Sequence, residues 1–162
     1  MFEKDLCLLE FTRVRDVIAG HCSFSLSRLM VADLIPSTDI AQIRERLEES
    51  AEARKLLELE PGLSAHGLAD IGEESHYAAL GRLLEPKMLA ETRRSLSTLR
   101  QLKSKLNETA GETPRLTAIA GEIGSFSHLE KTLDRAISPD GELLPNASDK
   151  LSSIRHRLRG KR

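Results

Sequence analysis

Apolar residues recur every three or four positions along most of the chain, a spacing that places them on one face of an α-helix. The first such stretch predicts a single helix from about Asp5 to Gly20. A second helix follows, with Ser23 or Ser25 as its predicted cap, and it ends at Pro36 because proline lacks a backbone donor.

The middle of the chain predicts longer helices. A side-chain oxygen within Pro36-Ser37-Thr38-Asp39 can cap a helix that ends near Pro61-Gly62. A short helix carrying Tyr77 is predicted to end at Gly81. Pro86 suits a first helical turn, and it introduces a helix over residues 86–107.

The last third predicts two short helices, a tight turn and a final helix. The turn is Pro139 to Glu142, where Gly141 supplies the positive φ that such turns need. Ser148 is the predicted cap of the final helix. The sequence therefore predicts an all-α fold, an irregular bundle of about eight helices, with at most one short β-hairpin near residues 138–145.

Composition narrows the class of protein. Aromatic residues make up only 3% of the chain, so the core is expected to consist of aliphatic side chains in helix-on-helix packing. The formal net charge of −1 excludes a global basic field that would attract nucleic acid. No apolar run is long enough to span a membrane and no signal peptide is evident, which favours a cytoplasmic location.

The sequence offers few candidates for a catalytic, cofactor-binding or metal site. No glycine-rich phosphate loop is present, and the five histidines are scattered without the spacing that lets two of them share a metal. Cys7 and Cys22 are expected to be small buried residues rather than ligands or a disulfide. We therefore assign no catalytic, cofactor-binding or metal residue, and expect this chain not to be an enzyme by itself.

Basic residues crowd the end of the chain, and they are the candidate nucleic-acid contacts. One interpretation is phosphate binding, and the alternative is a solvated helix face that complements the C-terminal dipole. A second basic set lies on the long predicted helix, with the same two interpretations. The terminal candidates are Arg155, Arg157, Arg159, Lys161 and Arg162, and the second set is Arg93, Arg94, Arg100, Lys103 and Lys105.

The order of short motifs along nearly the whole chain resembles one protein family. It is the bacterial MutS-type paralogue lineage that lacks the mismatch-reading domain and carries a C-terminal Smr nuclease domain. The motifs that carry the resemblance are Leu9-Glu10-Phe11, Cys22-Ser23, Ala32-Asp33-Leu34-Ile35-Pro36, Glu52-Ala53, Gly67-Leu68, Asp70-Ile71, Leu84-Glu85-Pro86, Asp140-Gly141-Glu142, Ala147-Ser148 and Ile154-Arg155.

The resemblance implies an architecture. Residues 1–147 would form the helical core region, and residues 148–162 would begin a long lever or clamp helix that continues beyond this sequence. The ATP and Mg²⁺ sites, and the endonuclease domain, would lie elsewhere in the parent protein. The implied partners are DNA, including branched recombination intermediates, a second subunit in a homodimer, and the ribosome or RNA.

Three functions stay open from the sequence. The chain could relay nucleotide state mechanically to a DNA clamp in DNA repair or recombination control, which the resemblance favours. It could instead be a nucleic-acid-binding module that uses the basic helices. It could also be a protein-interaction or dimerisation module.

Overall fold

The helical periodicity of the sequence is realised along the chain. A computed structural model describes residues 2–145 and 147–159, which contain nine helices and no strand longer than one isolated bridge. The predicted all-α class is therefore confirmed. The helices are α1 (Phe2–Leu8), α2 (Phe11–Gly20), α3 (Ser25–Ala32), α4 (Ile40–Leu59), α5 (Gly72–Ala79), α6 (Pro86–Glu108), α7 (Pro114–Gly121), α8 (Ser127–Ala136) and α9 (Asp149–Arg159).

The predicted single helix from Asp5 to Gly20 is wrong, because the chain turns between α1 and α2. Glu10 adopts a left-handed backbone conformation with φ of 50°, which an α-helix cannot contain. The turn lets α1 pack against α2. Apolar residues sit at helical spacing on both sides of the turn, so periodicity alone does not reveal the break.

The start and end of α3 also differ from the prediction. Neither Ser23 nor Ser25 caps the helix, because the extended residue Phe24 precedes its first turn without a side-chain cap. Ser27 instead donates its hydroxyl to the Phe24 carbonyl at 2.7 Å. The helix ends at Ala32, four residues before Pro36, so the proline does not itself end the helix as predicted.

The longer elements agree closely with the sequence. Asp39 caps α4, since its carboxylate accepts from the Ala41 backbone N–H at 2.9 Å. Gly81 has a positive φ of 70° just after α5, as a helix-ending glycine requires. The long predicted helix extends one residue beyond the predicted Asn107, to Glu108.

Helix α6 is the centre of the packed part of the molecule. It packs against α7 and α8, and α7 also packs against α4. The buried apolar side chains among the described residues all belong to this group of helices or to the residue that follows α8. They are Leu56, Ala90, Leu96, Ala120, Leu133 and Ile137.

A buried serine fixes the loop between α4 and α5 onto α6. The Ser95 hydroxyl is 1% exposed and accepts from the Ala69 backbone N–H at 2.9 Å. The loop lies so close that a Cβ added to Gly67 would stand 2.1 Å from the Thr98 hydroxyl oxygen. Glycine is therefore required at this position by the close approach of the loop to α6.

A distant carboxylate caps α7. The Glu52 side chain on α4 accepts from the backbone N–H groups of Arg115 and Leu116, at 2.9 and 3.0 Å. These are two of the donors that the first turn of a helix leaves without a partner, and a negative charge there also opposes the helix dipole. One side chain therefore joins α4 to α7 and completes the start of α7.

Helices α1, α2 and α3 form a separate packed group in which α2 contacts the other two. Arg15 of α2 connects α2 to the segment after α3, since its guanidinium donates to the Leu34 carbonyl at 2.8 Å, and it also lies 5.2 Å from the centre of the Phe11 ring on the same helix. Many apolar side chains of the group stay in water, with Leu8 83% exposed and Met30 75% exposed.

The total solvent-accessible surface of the chain is large for its mass. The chain of 18.0 kDa exposes 12,394 Å². A closed monomer of the same mass would expose about 8,000 Å². The difference indicates that the chain buries less surface in total than an independent domain of this size does.

The predicted hairpin is present in minimal form. Ile137 and Leu143 form an antiparallel bridge, and the Ser138 N–H donates to the Glu142 carbonyl at 2.8 Å. Gly141 forms the turn with φ of 78°. A Cβ there would also lie 3.0 Å from the Cα of Lys87, so the turn rests directly on the first residues of α6.

Candidate nucleic-acid interface

Helix α9 carries three of the five terminal basic residues that the sequence singles out, Arg155, Arg157 and Arg159. As predicted, Ser148 caps it, accepting from the Leu151 N–H at 3.2 Å. Two apolar side chains further along the helix are open to water, with Ile154 37% and Leu158 62% exposed. The helix thus presents an amphipathic surface that its own neighbours cover only in part.

The described basic residues of α9 do not converge. Arg155 is half-buried and both of its terminal nitrogens donate to the Leu143 carbonyl at 3.4 Å. Arg157 is exposed and stands two positions further on, which turns it toward another side of the helix. The Arg159 side chain, Lys161 and Arg162 lie outside the described residues.

The basic residues of α6 contribute mainly to tertiary structure. Arg93 lies 3.3 Å from the Asp134 carboxylate and donates to the Ile137 carbonyl at 3.1 Å. Arg100 donates to the Glu130 carboxylate at 2.9 Å. These bonds connect α6 to α8 and to the residue that begins the hairpin.

The two lysines near the end of α6 have similar roles. Lys103 donates to the Ile123 carbonyl at 2.5 Å, which connects α6 to the segment after α7. Lys105 donates to Glu60 at 3.1 Å and to Glu108 at 2.9 Å. Of the second basic set, these two lysines and the two arginines above are thus occupied within the protein, which favours the structural interpretation of that set.

The contacts of Lys105 affect the pKa of two groups. The hydrogen bond to Glu108, followed by that to Glu60, raises the pKa of Lys105 above its ordinary value of 10.5. The same hydrogen bond, with a second from Ser104, lowers the pKa of Glu108 below its ordinary value of 4.5. Both side chains are substantially exposed, so the contact is a surface ion pair of small energetic weight.

A cleft of about 350 Å³ lies between α6, α8 and the hairpin. Three arginines line it, Arg93, Arg94 and Arg100, together with the carboxylates of Glu130 and Asp134. Because two of the arginines are paired with those two carboxylates, the cleft offers little net positive charge to a phosphate.

Sequence reasoning missed the acidic partners and the capping carboxylate. Glu130 and Asp134 are four residues apart, and this spacing places both on one face of α8 opposite the arginines of α6. That spacing was a detectable signal. Nothing in the sequence singled out Glu52 from the other acidic residues of α4, because its role depends on where α7 begins.

Other kinds of site are not evident in the described part of the chain. No cluster of three His, Cys, Asp or Glu residues there has a geometry suited to a metal ion. Cys7 is exposed and Cys22 half-buried, so the prediction that both are buried is wrong for both, and more so for Cys7. Among the described helices, none combines the length and apolarity needed to cross a membrane.

Comparison with known proteins gives a consistent result. The chain is 34% identical over 159 residues to Endonuclease MutS2 of Symbiobacterium thermophilum, which covers 98% of this chain and 20% of that protein. It is 35% identical over 162 residues to Endonuclease MutS2 of Geobacillus thermodenitrificans, and 33% identical to that of Bacillus mycoides, each covering 98% of this chain and 21% of the relative.

The similarity is to a segment of Endonuclease MutS2. The chain spans about a fifth of the length of these relatives, while almost all of the chain is matched. No family model matches the chain. The MutS2 relatives support the MutS-type resemblance of the motifs. Both the α6 group, which consists of α4, α6, α7 and α8, and the α1–α3 group lie within the matched length.

Proposed function

We propose that this chain is a non-catalytic core segment of a MutS2-type protein, in which it relays nucleotide state to a DNA clamp during DNA repair or recombination control. The observation that carries the proposal is the similarity of 98% of the chain to one fifth of Endonuclease MutS2. The all-α architecture supports it, because packed helices move as rigid bodies and transmit displacements over long distances.

Helix α6 has the properties that a relay needs. Its 23 residues span about 34 Å at the usual helical rise. It is held near its start by the hairpin turn, in its middle by Ser95 and near its end by Lys103, which donates to the Ile123 carbonyl. A helix fixed at three levels by neighbouring segments moves with those neighbours rather than bending.

The activities of a complete MutS2-type protein form part of this proposal. ATP and Mg²⁺, the endonuclease activity that the relatives' name states, and contact with DNA, RNA or the ribosome would depend on regions outside this chain. Homodimerisation would also belong to the complete protein. The purified chain is accordingly expected to show no ATPase activity and no tight binding to duplex DNA, and ATPase activity above background would overturn the non-catalytic assignment.

A chimera tests the relay directly. This chain would replace the matched segment of Endonuclease MutS2 of Geobacillus thermodenitrificans, with and without two glycines inserted after Gly141. The insertion should leave ATP hydrolysis intact, but should abolish the difference in DNA affinity between ATP-bound and nucleotide-free protein, because it uncouples α9 from α8. An unchanged nucleotide dependence in the insertion chimera would contradict the relay.

A second candidate function is protein interaction or dimerisation, which the exposed apolar side chains of α1–α3 favour. Sedimentation of the purified chain tests it, since self-association at micromolar concentration would support this function and a strict monomer would argue against it.

The third candidate, a nucleic-acid module, depends on α9. Charge reversal at Arg155, Arg157 and Arg159 should abolish any salt-dependent DNA or RNA binding if that candidate is right.

A further inference from the structure

The hairpin between α8 and α9 is held by an arginine on each side. On the first side, Arg93 of α6 donates to the carbonyl of Ile137 at 3.1 Å. On the second side, Arg155 of α9 donates to the carbonyl of Leu143 at 3.4 Å through both terminal nitrogens. Ile137 and Leu143 are the two bridge partners of the hairpin, so the arginines contact the same rung from opposite helices.

The rung is firmly attached to α6 and lightly attached to α9. Ile137 is fully buried, and the turn at Gly141 lies against Lys87. By contrast, α9 packs face to face on none of the other described helices. Among the described residues, the side-chain hydrogen bond that α9 makes to a residue before Ser148 is the one from Arg155 to the Leu143 carbonyl.

We propose that Arg155 is a positioning residue that sets the direction of α9 relative to α6, with the hairpin as the coupling element. The proposal deepens the relay role and rests on it for its functional meaning, but it concerns a geometry that this chain has by itself. A displacement of α6 then reaches α9 through Arg93, the bridge and Arg155.

The bond is suited to a switchable connection rather than a fixed one. The Leu143 carbonyl lies at an exposed residue, and a guanidinium at 3.4 Å makes a long hydrogen bond. Its loss costs little free energy, so α9 can leave the hairpin without unfolding either element. Arg93, which bonds at shorter distance and pairs with Asp134, would stay in place.

Spin-label distances between α6 and α9 test this in the whole chain. Labels are attached at Glu91→Cys and Ser153→Cys after Cys7→Ser and Cys22→Ala remove the native thiols. With Arg155 in place, we expect one narrow distribution of distances between the two labels. Arg155→Met should raise the population at other distances about fivefold, as expected for losing one net hydrogen bond of roughly 1 kcal/mol.

Arg157→Met is the matched control, because it removes the same charge from the same helix but not the contact with Leu143. It should leave the distance distribution narrow, and circular dichroism should show unchanged helicity in both variants. Equal distributions for Arg155→Met and the parent, or equal broadening in the Arg157→Met control, would overturn the proposal. Because the measurement uses no nucleotide or DNA, it can show that Arg155 positions α9 even if the relay fails. The chimera experiment separates those two outcomes.

Discussion

The α1–α3 group and the α6 group are built from similarly aliphatic sequence, yet only the α6 group encloses a core. Every buried apolar side chain among the described residues lies in or directly after α4, α6, α7 or α8. In α1–α3, Leu8, Leu9 and Met30 remain at least 74% exposed. Amphipathic periodicity therefore predicts a helix, but does not predict whether the apolar face of that helix is covered.

The polar contacts differ in the same way. In the α6 group, Glu52, Ser95 and Arg93 each join elements that are far apart in the sequence. In the α1–α3 group, the contacts of Arg15 and Ser27 stay within the group. Polar contacts thus join the α6 group across long stretches of sequence, whereas those of α1–α3 are local.

The largest expected effect comes from opening the core of the α6 group. Leu96→Ala should lower the free energy of unfolding by about 3 kcal/mol, because Leu96 is 5% exposed and its removal leaves a cavity. Leu29→Ala, at a side chain 59% exposed, should lower it by less than about 1 kcal/mol. Urea denaturation compares them, and equal losses would remove the distinction between the two groups.

The same glycine substitution should have unequal effects at two positive-φ positions. Gly81→Ala meets open space, so only backbone strain of about 1 kcal/mol is expected. Gly141→Ala adds a close approach to the Lys87 backbone and should cost about 2 kcal/mol. Thermal unfolding of the two variants measures the difference, and a smaller loss at Gly141 would show that the hairpin does not rest tightly on α6.

Removing the cap of α7 should have an intermediate effect. Glu52→Ala leaves the N–H groups of Arg115 and Leu116 without their acceptor, and should cost about 1 kcal/mol. Glu58→Ala, at an exposed position on the same helix, should be nearly neutral. Chemical denaturation of both variants, with the amide chemical shifts of the two donors, provides the test. Unchanged shifts would contradict the capping role.

The smallest expected effect is a dependence on pH at the end of α6. The pKa of Glu108 is lowered in the folded protein, so its contribution to stability is present above pH 4.5 and disappears as the pH falls through the lowered value. The raised pKa of Lys105 acts oppositely, since its contribution is present below pH 10.5 and disappears as the pH rises above it.

Glu108→Gln separates these contributions. At pH 7 it should be slightly less stable than the parent, and the two should converge as Glu108 is protonated in acid. Thermal unfolding from pH 2 to 7 measures the convergence. A stability difference that stays constant down to pH 2 would show that the carboxylate charge makes no contribution.

The sequence predicted local structure well where one residue determines it. The turn at Gly141, the cap at Ser148 and the proline start of α6 all follow from the chemistry of single residues. The break at Glu10 could not be predicted, because glutamate does not favour the left-handed conformation that it adopts there. Tertiary contacts, and not local preference, determine that turn.

The candidate site was harder to predict for a related reason. The terminal basic residues were found by their charge, but charge does not say whether a guanidinium faces solvent or a backbone carbonyl. Arg155 contacts Leu143, and Arg93 and Arg100 contact acidic partners on α8. The roles of these residues depend on how the hairpin and α8 pack on α6, which a local pattern of charges does not contain.

Hydrogen exchange at individual amides tests most directly the claim that the α6 group contains the buried core of the described residues and the α1–α3 group does not. Amides in the middle of α6, around Leu96, should exchange only through global unfolding, whereas those of α2 around Val17 should exchange at least about 100-fold faster through local opening. Equal protection in the two helices, both following the global unfolding free energy, would contradict the account.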